Sequence, residues 1–271
     1  MGLLQSVIKF FLVVLIFRTV MTRQELYFNP LGKLVGKMTD PILEKTFKLT
    51  KKSADNILPV FILLAVVLDG LVVFMLTTAG IPTAMLYGLA DILGFLMMFY
   101  IVSTILGGFA GNASMTHYAM FFKRIASFWV KLTRTFIPIK SNAVIIPAII
   151  IIFAFFTAAT AGVNVAYQAM IGSAVNPVGS LMLATRANLL TVAGLLDIFV
   201  WLVIIRALMS WVSPDPRNPV VQIIHSLTEP VMEPFRKIIP TIGVIDISAM
   251  VLIFVVYFIK TMLVRLVGII F

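Results

Sequence analysis

The sequence predicts an all-α integral membrane protein with about six transmembrane helices, organised as repeated helix–amphipathic loop–helix units. Three observations carry this. The 271 residues are 61% hydrophobic and only 12% charged, and the mean hydropathy of +1.09 lies far outside the range of soluble globular chains. Several apolar runs approach the ~20 residues that cross a bilayer. The cationic side chains are also gathered into alternate loops rather than spread along the chain.

The expected spans are Leu3–Met21, Ile57–Thr77, Tyr87–Phe109, Ala143–Val163, Leu189–Val212 and Ile247–Phe271. The first reads as a retained span rather than a signal peptide, because its apolar region is long and its basic residues follow it. Between spans 1 and 2 lie Arg23, Lys33, Lys37, Lys45, Lys48, Lys51 and Lys52. Between spans 3 and 4 lie Lys123, Arg124, Lys131, Arg134 and Lys140, and between spans 5 and 6 lie Arg217, Arg236 and Lys237. The other two loops hold only Arg186. The positive-inside rule then makes the three basic loops cytoplasmic and puts both termini outside a bacterial inner membrane. Lys9, Lys260 and Arg265, nearer the outer side, run against that bias. The net charge of +10 is thereby directed to anionic inner-leaflet headgroups and not to nucleic acid.

Chemistry is narrowly bounded. With no cysteine, disulfides, thiol catalysis and iron–sulfur ligation are excluded. The only histidines, His117 and His225, lie in loops and make neither a zinc site nor a bis-histidine haem site. There is no glycine-rich phosphate loop, ligand cluster or catalytic triad. The expectation is a protein that is not an enzyme and has no cofactor.

An internal repeat accounts for the charged loops. The first reads "NPLGKLVGKMTDPILEKTFKL" and the last "NPVVQIIHSLTEPVMEPFRKI". Asn29-Pro30 aligns with Asn218-Pro219, and Thr39-Asp40-Pro41 with Thr228-Glu229-Pro230 at the same offset. Arg18 and Arg206 precede the two loops, and Asp55 and Asp246 follow them. Agreement of spacing and identity together makes the repeat strong. It divides the chain into unit 1 (residues 1–80), a degenerate middle unit (81–170), in which Tyr100 stands near the place of Arg206, and unit 2 (185–271). Asn before Pro is a helix start. Thr-acid-Pro reads as a kink or restart, so each loop is expected to be two short helices joined at an angle. Their two-sided faces suit helices lying in the interface or dipping in as re-entrant hairpins.

The block "RALMSWVSPDPRNPVVQIIHSLTEPVMEPFRKIIPTIGVIDISAMV" resembles the YggT (YlmG-like) family of small membrane proteins. Residues 195–265 carry the pattern nearly throughout, including Arg206, Asp215, Asn218, Pro219, Thr228, Glu229, Pro230 and Asp246, and residues 10–70 carry a weaker copy. The resemblance implies links to osmotic tolerance, cell division or membrane-complex biogenesis, and it brings no catalytic residues with it. The expected function is a membrane scaffold or assembly protein with other membrane proteins, or further copies, as partners. The rival is a transport-type protein.

Four features bear on that choice. Arg18 and Arg206 either snorkel to headgroups or hold a loop carboxylate, Glu25 or Asp40 for the first and Asp215 or Glu229 for the second. Asp69 and Lys260 each follow an aligned aspartate by fourteen residues. They are therefore expected to pair, or to share a polar cavity, at one depth of the bundle. Asp91 and Asp197 are expected to cap spans 3 and 5 at the outer side. Ala154, Ala158 and Gly162 form a small-residue face on span 4 for close contact, internal or with a partner.

Overall fold

The computed structural model describes residues 2–28, 32–41, 58–108, 116–139, 141–212, 215, 218–239 and 247–271, and every described element is helical. Asn29, Pro30, Asp55 and Asp246 lie outside these residues, as does the His117 side chain. In chain order the helices are α1 (Gly2–Val20), α2 (Arg23–Phe28), α3 (residues 32–41), α4 (Leu58–Leu76), α5 (Ile81–Gly108) and α6 (Thr116–Phe136). They continue with α7 (Ile145–Met170), α8 (Pro177–Ala193), α9 (Leu195–Val212), α10 (Pro219–Ile238) and α11 (Ile247–Ile270). Among the described residues, six helices are long and apolar enough to cross a membrane, with α8 and α9 counted together. Leu63, Phe155, Trp201 and Phe254 are each more than half exposed. Large apolar side chains turned outward all round a bundle suit lipid contact and would be costly in water.

One core joins α1, α4, α5, α6 and α7, with Leu12, Ile16, Ile92, Met97, Ile101, Trp129, Ile152 and Phe156 at its centre. A second joins α9, α10 and α11 through Val200, Val203, Met232, Ala249 and Leu252. Thus α5, α6 and α7 pack mutually, and so do α9, α10 and α11. In both trios the middle helix is amphipathic and comes from a basic loop. α8 connects the two groups by packing on α7 and α11. The buried Asn188 amide donates to Thr157 Oγ1 on α7 at 3.0 Å, a cross-helix bond that fixes their register.

Three expectations are corrected. Span 5 starts at Pro177, because Asn176 caps α8 by accepting a hydrogen bond from Gly179 N at 2.9 Å. This is the same Asn-Pro start as at Asn218-Pro219. Gly194 alone separates α8 from α9, so the helical stretch is far longer than one hydrocarbon thickness. Asp91 is no cap, since it lies well inside α5, where a salt bridge removes the reason for the helix to begin after it. α10 runs unbroken through Thr228-Glu229-Pro230 and through Pro234, and α3 is helical through Thr39, Asp40 and Pro41. A proline costs one backbone bond, yet burial of Ile224 and Thr228 before Pro230 and of Met232 after it holds α10 to the bundle on both sides. The small-residue face of Ala154, Ala158 and Gly162 is exposed, so of the two contacts allowed for it the internal one is not made among the described residues. α7 packs instead through Ala148, Ile152, Phe156, Thr157 and Thr160.

The α4–α5 hairpin brings two backbones into close contact. A Cβ on Gly88 would stand 2.5 Å from Gly70 N and 2.8 Å from Gly70 Cα, and one on Gly70 would meet Met85 Sδ at 2.7 Å. Glycine here lets two backbones approach where any side chain would part them. Gly94, on the same helix, has open space around its would-be Cβ. Gly88→Leu should therefore lower stability by about 1–3 kcal/mol through overpacking, while Gly94→Ala should be neutral or slightly stabilising. Thermal unfolding of the two variants in detergent checks this; equal midpoints would show that the hairpin does not depend on the glycine contact.

Candidate functional site

The motif residues converge where α9 meets α10. Arg206 is only 4% exposed on a largely apolar helix, so its guanidinium needs partners within the fold. Nη1 donates to Thr228 Oγ1 at 2.7 Å, and Nη2 forms an ion pair with the Glu229 carboxylate. The Thr228 hydroxyl, fully buried, donates in turn to Ile224 O one turn back at 2.7 Å. One side chain of the span thus grips two successive residues of the amphipathic helix. Glu229 faces outward enough to receive Arg236 as well, at 3.4 Å. Asp215 serves the loop, accepting the Asn218 N–H at its backbone carbonyl at 2.9 Å.

The same arrangement stands at α1 and α3. Arg18 Nη2 donates to Asp40 Oδ1 at 2.9 Å, and the buried Thr39 hydroxyl donates to Val35 O at 2.7 Å. In both places the acid of Thr-acid-Pro is the partner, and the carboxylate-holding alternative describes the arginines. Glu25 goes elsewhere. It closes a capping box with Thr22, accepting from the Thr22 N–H and hydroxyl at 2.8 Å each, and it ion-pairs with Arg124 of α6. Burial opposes the Glu25 carboxylate, but the bonds from Arg124 and Thr22 outweigh it and hold its pKa below the ordinary value. With the folded pKa depressed, this link contributes stability at neutral pH. It is lost only as pH falls through the acidic range below ordinary glutamate titration.

Sequence reasoning missed the counterpart in the middle. Thr133 of α6 is fully buried and donates to Trp129 O at 2.7 Å, the same back-bond as Thr39 and Thr228. The residue after it is Arg134 rather than an acid, and Tyr100 on α5 supplies rings in place of a guanidinium. Tyr100 lies 5.8 Å from the Trp129 ring and 6.2 Å from Phe156 of α7. Acid and arginine are replaced together, so no charge is stranded. The signal available in the sequence was the apolar-Thr pair Leu132-Thr133, matching Met38-Thr39 and Leu227-Thr228.

Deeper in the spans, the expected partnership of Asp69 with Lys260 does not form. Lys260 Nζ reaches both carboxylate oxygens of Asp197 at 2.6 Å, joining α11 to α9. Lys9 pairs with Asp91 at 2.7 Å and lies over the Phe95 ring at 5.9 Å. Asp69 accepts a long bond from Gln5 Nε2 at 3.4 Å. The reason is that aligned positions in two similar segments need not be close in space. α4 packs on α5 and α1, whereas α11 packs on α9, α10 and α8. Two of the lysines that ran against the charge bias, Lys9 and Lys260, are thus neutralised by neighbouring carboxylates. Among the described residues, no group of three or more His, Asp or Glu could hold a metal ion. His225 is exposed. Its partial desolvation, then the Arg206 charge, hold its pKa below the ordinary value against the opposing pull of Glu229.

Comparison with known proteins points to the same end of the chain. Residues 186–267 match the model of the CCB3/YggT family. The "Uncharacterized protein in proC 3'region" of Vibrio alginolyticus is 45% identical over 65 residues, 24% of this chain and 34% of that protein. The "Uncharacterized protein YggT" of Escherichia coli K12 is 40% identical over 72 residues, 27% of this chain and 37% of that protein. An "Uncharacterized protein" of Haemophilus influenzae is 29% identical over 97 residues, 33% of this chain and 53% of that protein. The chain thus spans about a third of the length of the first of these curated relatives. No solved structure matches. The matched stretch contains Arg206, Thr228, Glu229, Asp197 and Lys260, and excludes Asp69 and Asp91.

Replacing Arg206 by Met should cost about 1.5–3 kcal/mol, the range for hydrogen bonds to charged groups, with the lower half favoured because Glu229 is 44% exposed. Arg206→Lys should recover little, since an ammonium cannot reach Thr228 and Glu229 as a fork does. Denaturation of the purified variants in detergent reads this directly; full recovery by lysine would reduce the clamp to a simple charge pair.

Proposed function

We propose that the chain is a non-enzymatic membrane scaffold of the YggT type. Three span–amphipathic helix–span units, residues 1–80, 81–170 and 185–271, hold a platform of surface helices on the cytoplasmic face of a bacterial inner membrane, with both termini outside. The observation that carries this reading is the recurring clamp, Arg206 on Thr228-Glu229 and Arg18 on Asp40. A lipid anchor would leave an arginine free to snorkel. These instead fix the amphipathic helices to their spans, as a docking surface requires. Asn218 and Pro219 stand at the start of α10.

The platform is cationic. Lys33, Lys37, Lys123, Lys131 and Arg134 are exposed on α3 and α6. A cleft of about 620 Å³ is lined by Arg18, Lys33, Lys37, Asp40 and Tyr27, a setting for anionic headgroups of the inner leaflet. Partner membrane proteins would be recruited through α6 and α10 and the lipid-facing spans. That role suits osmotic tolerance, cell division or the biogenesis of membrane complexes.

Photo-cross-linkers placed in living cells at Phe128 and Lys131 of α6, and at lipid-facing Phe254, test the scaffold. Discrete protein adducts from α6, weakened by Arg124→Ala, are expected; lipid adducts alone from all three positions would refute it. For the headgroup cleft, native mass spectrometry should show phosphatidylglycerol retained by the wild type and lost several-fold in Lys33→Gln/Lys37→Gln. Equal retention would remove the cleft from the proposal.

A further inference from the structure

The Gly70–Gly88 contact has a chemical consequence. By drawing the α4 and α5 backbones together it sets Asp69, one residue from Gly70, beside Asp91, one turn along from Gly88. Both carboxyl groups face the same stretch of α1, where Gln5 bonds Asp69 at 3.4 Å and Lys9, one turn on, pairs with Asp91 at 2.7 Å. Asp69 is fully buried. Its Oδ2 has only the 3.4 Å bond from Gln5, and its Oδ1 has no hydrogen-bond partner among the described residues. The charged and polar groups facing it come from both helices packed on α4: Gln5 and Lys9 from α1, Asp91 from α5. Lys9 is already committed to Asp91 at 2.7 Å. Two carboxyl groups therefore share one ammonium, in a place where an uncompensated charge costs several kcal/mol.

A cleft of about 700 Å³ leads to this cluster. Thr77, Thr83, Tyr87, Tyr167, Gln5 and Asp91 line it, at the end of the bundle formed by the α4–α5 turn. Both residues that touch Asp69 from the sides, Gln5 and Asp91, are walls of the cleft. The hydroxyls along it can hold water, which a carboxyl group needs in order to exchange with the medium. We infer that Asp69 and Asp91 form an intramembrane proton-binding site, which takes up one proton from hydronium through this cleft and returns it by the same route.

The proton is preferred to a metal cation on local grounds. A metal ion between the carboxylates would lie against the Lys9 ammonium, which repels it. A proton adds no bulk, needs one carboxyl oxygen, and turns Asp69 Oδ1 or its neighbour into a donor for the other aspartate. Two close carboxyl groups sharing a proton satisfy both the charge and the stranded oxygen. Asp197 differs in this respect, because both its oxygens are held by Lys260. The inference does not depend on the scaffold reading, since it concerns the other end of the bundle.

Infrared difference spectroscopy of the full chain in lipid nanodiscs tests the site. Stepping the buffer from alkaline to acidic pH should raise a carboxylic acid C=O band that is lost in Asp69→Asn and retained in Asp215→Asn, an exposed control. Lys9→Met should move the band's midpoint to higher pH by about one unit or more, an arm that does not require Asp69→Asn to fold. Thr83→Trp, which fills the cleft, should slow the appearance of the band several-fold without reducing its final size. A band unchanged in well-folded Asp69→Asn, or a midpoint unmoved by Lys9→Met, would overturn the proposal. So would a band displaced by sodium or potassium, compared with choline at equal ionic strength, because the occupant would then be a metal cation.

Discussion

The cost of stranding a charge away from water governs this structure. An ionisable side chain near the middle of a bilayer costs about 2.5–3.5 kcal/mol even on insertion scales, and the described spans carry several. Each of three is answered by an opposite charge from a neighbouring helix: Lys9 by Asp91, Lys260 by Asp197, and Arg206 by Glu229. These pairs do more than cancel charge. A pair between α1 and α5, another between α9 and α11, and a third between α9 and α10 select which helices are neighbours. Apolar surfaces, equally content against lipid, cannot do that.

Close packing complements the charges. The Gly70–Gly88 contact and the Asn188–Thr157 bond hold helices at distances and registers that leucine-rich faces would not specify. Asp69 stands apart because, among the described residues, it has no salt bridge and only a long bond from Gln5 at 3.4 Å. A buried carboxyl group calls for a polar neighbour, and Gln5, which bonds Asp69, is a wall of a polar cleft.

The amphipathic helices α3 and α10 depend on the same physics. An amphipathic helix can lie at an interface in many orientations, since its apolar face meets lipid along its whole length. Arg206 and Arg18 remove that freedom by bonding to the acid that follows a buried threonine. In the middle, the Tyr100, Trp129 and Phe156 rings do the equivalent work without charge. The exchange of Arg and acid for aromatic packing explains why the middle stretch lacks the marks of its neighbours in sequence while packing alike around Thr133.

The sequence by itself determined the all-α class and the six stretches long and apolar enough to cross a membrane, because insertion depends on the summed hydropathy of contiguous residues. It also located the clamp residues, since a spacing kept in two copies is visible without coordinates. Arg206 with Glu229 and Arg18 with Asp40 were among the pairings it allowed. It could not separate them from Asp215 and Glu25, because choosing needs the helix to continue through Pro230, and a proline in isolation argues for a break. Tertiary structure alone decided the partners of Asp69 and Lys260. Repeat alignment specifies depth along a helix axis, whereas pairing depends on which helices are adjacent and which faces they turn to one another, and those follow from the packing of the whole bundle.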